Sequence, residues 1–341
     1  MADFIDSNEL YFLQFKPLYK QRIWGGNLLQ KTLQRSDMPQ LDPDQEPIGE
    51  SWEITDRSDA QSVVSSGPLA GKTLRELIEY YGQTLLGGIW QGETFPLLVK
   101  FIDAGQKLSL QVHPDENYCR EYGDGAEPKT EMWYIAECES RGEILAGLMP
   151  RATKDQLIEA LNSPKAASLL QRFPSQVGDS YFIQAGTVHA IGGGNLIFEI
   201  QQNSDTTYRI SDWGRVDKNG KPRELHLDKG IRAIGFSNRV SPRIPAVIGE
   251  TRFNRKFPLV ERHCFNVDCL LLVENYPENT GKLNGSFHLL SVMKGRIKLQ
   301  SAACGTLEAK FGDSVLVPAN CGNYQIQPRD GSATVLKSYL K

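Results

Sequence analysis

Gly178-Asp-Ser-Tyr-Phe-Ile-Gln-Ala-Gly-Thr-Val-His189 has an echo later in the chain, Gly312-Asp-Ser-Val-Leu-Val-Pro-Ala-Asn-Cys-Gly-Asn323. Each stretch opens on Gly-Asp-Ser, runs through an apolar strand, turns, and delivers a polar residue into a following strand. Upstream of them, Glu131-Met-Trp-Tyr-Ile-Ala and His288-Leu-Leu-Ser-Val-Met align as corresponding earlier strands. The echo predicts two related β-barrel units. The Pro- and Arg-containing stretch 237–251 sets their boundary near residue 245, so residues 1–244 form the first unit and 245–341 the second. Where the first unit has His189 the second has Asn323, which assigns the chemistry to the first and leaves the second without metal ligands.

Working outward, most of the sequence reads as short strands rich in Val, Ile, Leu, Phe and Tyr, punctuated by glycine and proline. Helices are few. Thr73 with Glu76, and Thr153 with Gln156, form capping boxes ahead of apolar residues at helical spacing, and Ser163-Pro164 suits a third helix start. Helical segments are therefore expected near 73–86 and 153–172.

The 341 residues carry 38 Lys+Arg against 41 Asp+Glu, a net charge of −3. A chain of this length removes roughly three quarters of its unfolded surface from water and needs no disulfide to hold a core. Interspersed, nearly balanced charge leaves no footprint for nucleic acid or anionic membrane. No apolar run approaches the ~20 residues of a membrane helix, and the N-terminus shows no secretory pattern. These features predict a cytoplasmic protein with a small-molecule partner. The 6 cysteines fall at irregular spacings with no C-x-x-C pair, which suits reduced thiols and argues against a thiolate zinc site.

Of 5 histidines, two stand out. In Leu110-Gln111-Val112-His113-Pro114, Gln111 and His113 project to one face of a strand while Leu110 and Val112 project to the other. Glu131 starts a later strand after a polar loop, Tyr122 to Pro128, and His189 follows the Gly186 turn. Together Gln111, His113, Glu131 and His189 supply two imidazoles, one carboxylate and one amide oxygen, a set suited to zinc or another divalent first-row metal. With Zn²⁺ the site keeps one net positive charge and favours anionic oxygen donors. Gly192-Gly193-Gly194 lacks the context of a phosphate loop and reads as a hairpin. His226 reads as structural beside a helix start, and His263 and His288 as ordinary strand residues. Trp24, Trp52 and Trp133 are candidates for stacking on a sugar face.

Lys107-Leu-Ser-Leu-Gln-Val-His-Pro114, Lys129-Thr-Glu-Met132, Gln184-Ala-Gly-Thr-Val-His-Ala-Ile191 and Glu199 to Arg209 together resemble the type I phosphomannose isomerases in their short bacterial form. The resemblance spans most of the chain, from Arg22-Ile-Trp-Gly25 and Gly49-Glu-Ser-Trp-Glu53 onward. It implies a mainly β fold of two cupin-like, jelly-roll β-barrel units with a few short helices. It implies one Zn²⁺ per chain on Gln111, His113, Glu131 and His189, and interconversion of mannose 6-phosphate and fructose 6-phosphate.

The same resemblance points to Lys100, Lys129, Asp205 and Arg209 as active-site groups, with Ser109, Trp24 and Glu53 at the substrate. Aldose–ketose isomerisation moves a proton between C2 and C1 through an enediolate, so it needs a base, a charge stabiliser and a phosphate clamp. Arg209 suits charge stabilisation. Lys100 or Lys129 suits phosphate or proton transfer, and the proton carrier stays open among Lys129, Glu199, Asp205 and a metal-bound water. Gln111 stands where a general metal-binding cupin often has histidine, and Gln184 where many have proline, as Pro318 does in the second unit. Only residues 150–174 separate the Glu131 strand from the Gly178 strand, which favours the short form. Two alternatives remain at this level: an iron-dependent oxygenase built on the same histidines and carboxylate, and a non-catalytic sugar-phosphate-binding protein. The sequence assigns no oligomeric state.

Overall fold

A computed structural model describes residues 4–42, 44–123, 125–161, 163–217, 220–236, 241–244 and 251–341. The chain is mainly β and divides into two compact units, one made of residues 19–51 and 99–246, the other of 1–18, 52–98 and 247–341. Segments 1–18 and 52–98 thus group with the C-terminal residues, so the contiguous division into 1–244 and 245–341 differs from the observed one. The boundary placed near residue 245 lies outside the described residues.

The strands are β1 (Leu18–Gln21), β2 (Ile48–Ile54), β3 (Leu97–Ala104), β4 (Leu110–Val112), β5 (Glu131–Cys138), β6 (Glu143–Leu148), β7 (Leu170–Pro174), β8 (Ser180–Ile183), β9 (His189–Ile191), β10 (Asn195–Gln202), β11 (Tyr208–Ser211) and β12 (Arg243–Ile244). They form a seven-stranded sheet, β1-β2-β3-β10-β5-β8-β12, and a five-stranded sheet, β11-β4-β9-β6-β7. Between the sheets pack Trp24, Ile102, Trp133, Ile135, Ile144, Tyr181, Ile183 and Ile197. The other face of the smaller sheet, with Leu110, Val112, Leu145 and Ile210, is covered by helices carrying Leu157 and Ala233. This two-faced burial is why β4 alternates. Leu110 and Val112 go to the helical side, and Gln111 turns inward.

Both capping boxes form. Thr73 Oγ1 accepts the Glu76 N–H and Glu76 accepts the Thr73 N–H at the start of Leu74–Tyr81, and Thr153 and Gln156 do the same for Lys154–Ala160. Ser163 caps a 3₁₀ turn over Pro164–Leu169. Two further helices precede site strands: Leu28–Leu33, and Glu116–Tyr122, which Asp115 caps and Gly123 closes in the left-handed region. Gly192 needs to be glycine because a Cβ there would stand 2.6 Å from the Glu143 carbonyl oxygen, where the turn into β10 crosses β6.

The other unit continues with β13 (Arg255–Glu261), β14 (Asn266–Leu272), β15 (Tyr276–Asn279), β16 (His288–Lys294), β17 (Arg296–Ser301), β18 (Gly305–Lys310), β19 (Ser314–Val317), β20 (Asn323–Pro328) and β21 (Ala333–Tyr339). Its sheets run β13-β14-β21-β16-β19 and β15-β20-β17-β18, around Leu270, Leu290, Ile297, Val315, Ile326 and Val335.

The strand registers of the two sandwiches correspond. Ile183 pairs with Glu131 as Val317 pairs with His288, and His189 pairs with Gln111 as Asn323 pairs with Asn279. The Gln184 carbonyl accepts the Thr187 N–H at 3.0 Å, as the Pro318 carbonyl accepts the Cys321 N–H at 3.0 Å. Glutamine in place of proline keeps this closing bond, although Gly186 takes the left-handed region in the first turn and Gly322 in the second.

His288, at the position of Glu131, is buried, and its Nδ1 is hydrogen-bonded with the Tyr324 hydroxyl at 2.7 Å. Burial, with Lys337 and Lys256 nearby, pushes its pKa down to about 3. Above pH ~6.5 the imidazole is neutral in both folded and unfolded chains. As pH falls from there toward 3, the unfolded chain takes up a proton the folded one refuses, and stability falls by up to ~1.4 kcal/mol per pH unit. His288→Asn is expected to flatten that slope relative to the parent in urea unfolding between pH 7.5 and 5. Identical slopes would contradict the neutral, buried imidazole.

Candidate active site and metal centre

Three strands of one sandwich bring the expected ligands together. Gln111 comes from β4, His113 follows it, Glu131 opens β5 and His189 opens β9. His113, Glu131 and His189 are buried, and their ligand atoms all lie within 4.8 Å of one another.

Each histidine is locked in one tautomer. His113 Nδ1 lies 2.9 Å from the Thr206 carbonyl oxygen and His189 Nδ1 lies 2.9 Å from that of Thr187. A carbonyl only accepts, so both Nδ1 atoms carry the hydrogen and both Nε2 atoms offer lone pairs. Those lone pairs face Glu131: His113 Nε2 is 3.4 Å from Oε2 and His189 Nε2 is 3.3 Å from Oε1. Burial pushes the His113 pKa down to about 3 and also lowers that of His189. Neutral imidazoles do not pair ionically with the carboxylate. Glu131 is held ionised well below the usual carboxylate range: burial opposes the charge, but Lys129, whose Nζ is 3.2 Å from Oε2, leads the interactions that outweigh it.

His113 Nε2 and both Glu131 oxygens are buried without a hydrogen-bond partner. The Gln111 amide N–H donates to His189 Nε2 at 3.1 Å, and turning that amide by 180° exchanges the donor for an acceptor. Orphaned acceptors converging from two imidazoles, a carboxylate and an amide fit a divalent cation with nitrogen and oxygen ligands.

Beside this cluster lies a cavity of about 320 Å³. Lys129, Lys100, Asp205, Arg209, Ser109, Trp24 and Gln111 all line it, and so does Glu199. Asp205 sits exposed at the rim, while Lys100, Lys129 and Glu199 are buried. Glu53 is not among the lining residues. Alternation along β2 turns it to the face opposite Glu50, and Glu50 is the carboxylate that lines the cavity.

Lys100 Nζ is 2.9 Å from Glu199 Oε2 and 3.9 Å from Glu50 Oε1. Burial works against its charge, yet these two carboxylates raise its pKa. Glu199 also accepts the Trp133 indole N–H at 2.7 Å, and burial raises its pKa. Trp133 therefore packs in the core and fixes Glu199 instead of stacking on a sugar. Trp52 packs with Ala60 and Leu98. Arg209 Nη1 donates to the Glu224 carbonyl at 2.9 Å, and its Nε is buried without a partner. His226 Nδ1 accepts the Arg209 N–H at 3.2 Å and holds that strand from outside the cavity.

Sequence reasoning missed Arg22, Glu50 and Arg223 among the lining residues. Arg22 and Glu50 sit in stretches that carried the family resemblance, which was the available signal for both. Arg223, in an irregular polar segment, had none.

The family model for the phosphomannose isomerase type I catalytic domain matches residues 12–129, which include Gln111, His113 and Lys129. The chain is 37% identical over 344 residues to mannose-6-phosphate isomerase ManA of Bacillus subtilis (strain 168), covering 96% of this chain and 98% of that one. It is 34% identical over 334 residues to the putative mannose-6-phosphate isomerase YvyI of the same strain, covering 95% and 97%. The crystal structure of the mannose 6-phosphate isomerase from Bacillus subtilis superposes with a TM-score of 0.82 at 33% identity, over 96% of this chain and 99% of that one.

His113→Ala or Glu131→Ala is expected to abolish retention of divalent metal, read by elemental analysis after dialysis. Stoichiometric metal in either variant would remove its residue from the ligand set. On full-length similarity to these relatives, the chain belongs to the type I phosphomannose isomerase family.

Proposed function

We propose that this cavity interconverts mannose 6-phosphate and fructose 6-phosphate, with one Zn²⁺ per chain held by Gln111, His113, Glu131 and His189. The observation that carries this reading is the meeting of two tautomer-locked imidazoles and an ionised, buried carboxylate beside a cavity lined by Gln111, Lys129, Glu199 and Arg209. Family membership favours the isomerase over the oxygenase and the non-catalytic binder. Zinc suits two nitrogens and two oxygens, and a protein of like fold (16% identity, TM-score 0.72) is described as mannose 6-phosphate isomerase bound with zinc and yttrium. When bound, the ion supplies a Lewis acid that polarises substrate oxygens beside C1 and C2.

The chain's own groups do the rest. Arg209 presents a guanidinium with an unpaired, buried Nε toward the cavity, so it stabilises negative charge that grows on the enediolate oxygens. Lys100, clamped between Glu50 and Glu199, keeps its proton and fixes Glu199. Lys129, Glu199 and Asp205 are the candidates to carry the proton between C2 and C1, and pH profiles of single variants separate them. A phosphorylated hexose is an intracellular metabolite, and we assign the chain to the cytoplasm on that ground.

Purified protein with zinc is expected to convert mannose 6-phosphate to fructose 6-phosphate in a coupled assay and to stop when a chelator removes the metal. Arg209→Ala is expected to lower kcat by about 10²-fold or more with metal content near that of the parent. No conversion by the zinc-loaded parent would refute the reading, and loss of metal in Arg209→Ala would contradict its separation from the ligands.

A further inference from the structure

We infer that Arg223, positioned by Asp212, anchors the phosphate of the substrate at the end of the cavity away from the metal ligands. The inference rests on the isomerase reading above and adds the part of the site that distinguishes a phosphorylated from an unphosphorylated sugar.

Five cationic side chains line the cavity: Arg22, Lys100, Lys129, Arg209 and Arg223. Four of them pair with carboxylates, three with Glu50, Glu199 and Glu131 and the fourth, Arg223, with Asp212, which does not line the cavity. Arg22 Nη2 lies 2.7 Å from Glu50, Lys100 lies 2.9 Å from Glu199, and Lys129 lies 3.2 Å from Glu131. The lysines expected to hold phosphate are thus already balanced by acids. The two arginines are arranged differently. Arg209 has no carboxylate within ion-pair distance among the described residues and leaves a buried Nε unpaired.

Arg223 is gripped from one side. Its Nε and Nη2 donate to the two oxygens of buried Asp212 at 2.8 and 2.6 Å, a parallel pair of charge-assisted bonds. Such a grip sets the plane of the guanidinium before any ligand arrives, so less freedom is lost on binding. Arg209 and Arg223 are close enough for each charge to oppose the other, so negative charge on a bound ligand relieves that repulsion.

The strand pairing sets where this end lies. Arg209 on β11 is opposite Gln111, and Ser211 is opposite Leu110. Asp212 continues past β11 toward Leu108, whose carbonyl accepts the Trp213 indole N–H at 2.7 Å. Because the register slips by one residue between Arg209 and Ser211, Asp212 lies two partner steps, roughly 7 Å, beyond Arg209 in the direction away from His113. Ser109 also lines the cavity, with its Oγ 3.4 Å from Gln111 Oε1. A hexose 6-phosphate has its reacting carbons and its dianionic group at opposite ends. With C1 and C2 at the metal ligands, the phosphate falls to Arg223.

The test uses the zinc-loaded full chain and two polyols that lack the carbonyl and cannot turn over, mannitol 6-phosphate and mannitol, with binding read by calorimetry. The parent is expected to prefer the phosphorylated polyol strongly. Arg223→Gln is expected to weaken mannitol 6-phosphate about tenfold or more with no matching change for mannitol, and Arg223→Lys is expected to weaken it less than Arg223→Gln. In turnover, KM for mannose 6-phosphate rises more than kcat falls in Arg223→Gln, and Asp212→Asn shifts KM in the same direction by less.

Parent-like binding of mannitol 6-phosphate by Arg223→Gln overturns the anchor and leaves the phosphate to the lysines. Equal loss in the Lys and Gln variants, or an unfolded Lys variant, overturns it in favour of a structural ion pair. Should the parent bind mannitol 6-phosphate through Arg223 without converting mannose 6-phosphate, the isomerase reading fails while the anchor stands.

Discussion

A carboxylate with no exposed surface stays ionised only if cations compensate for the water it has lost, and Glu131 is such a group. Lys129 supplies one cation from two residues upstream, at 3.2 Å. The imidazoles on the other side cannot supply more, because burial keeps them neutral. Their Nδ1 hydrogens are tied to the Thr206 and Thr187 carbonyls, so what they present to Glu131 is a pair of lone pairs. One buried negative charge ringed by acceptors is a poor arrangement for an empty core and a good one for a divalent ion. The sandwich around it is built to hold that arrangement: β4 pairs with β9 to set Gln111 against His189, and β5 lies in the facing sheet to bring Glu131 across.

The second sandwich shows what the same positions do without this constraint. Gln111, Glu131 and His189 correspond in register to Asn279, His288 and Asn323, and Gly281 stands two residues beyond Asn279, as His113 stands beyond Gln111. The Asn279 amide donates to Asn323, so the side chains satisfy one another. The correspondence extends to charge. In the site-bearing sandwich Lys100 lies between Glu50 and Glu199. In the other, Asp268 lies between Lys256 and Lys337, at 3.0 and 3.5 Å. Glu199 pairs with Trp133, two residues past Glu131, and Lys337 pairs with Leu290, two residues past His288, so the inverted signs fall at equivalent strand positions. Lys100, Glu50 and Glu199 are all buried, whereas Lys256 is exposed and Lys337 also meets Glu278 at 2.7 Å. Only the order of signs with two carboxylates gives the cavity Glu50 and Glu199.

Much of this was legible in the sequence, for particular physical reasons. The Gly-Asp-Ser echo predicted the paired sandwiches because a strand, a turn and a polar delivery point form one structural unit, and the Thr73 and Thr153 capping boxes named their helices because the hydrogen bonds are local. The alternation through Leu110, Gln111 and Val112 was enough to turn the amide inward, since one face of β4 is apolar. What failed depended on distant partners. Glu53 was taken for the cavity residue of β2 because nothing local shows which face of a strand buried on both sides meets the cavity. The segments 1–18 and 52–98 could not be assigned to the C-terminal unit from their own composition. Arg223 was invisible because its role comes from Asp212, across an irregular segment with no periodic pattern.

The central claim is that two imidazole Nε2 atoms, one Glu131 carboxylate and the Gln111 amide share a single ion. The most direct measurement is X-ray absorption at the zinc edge on the zinc-loaded full chain. A shell of two nitrogen-type imidazole ligands and two oxygen-type ligands at about 2.0–2.2 Å, with no sulfur, is expected. A sulfur scatterer near 2.3 Å, or a shell with fewer than two imidazoles, would contradict it.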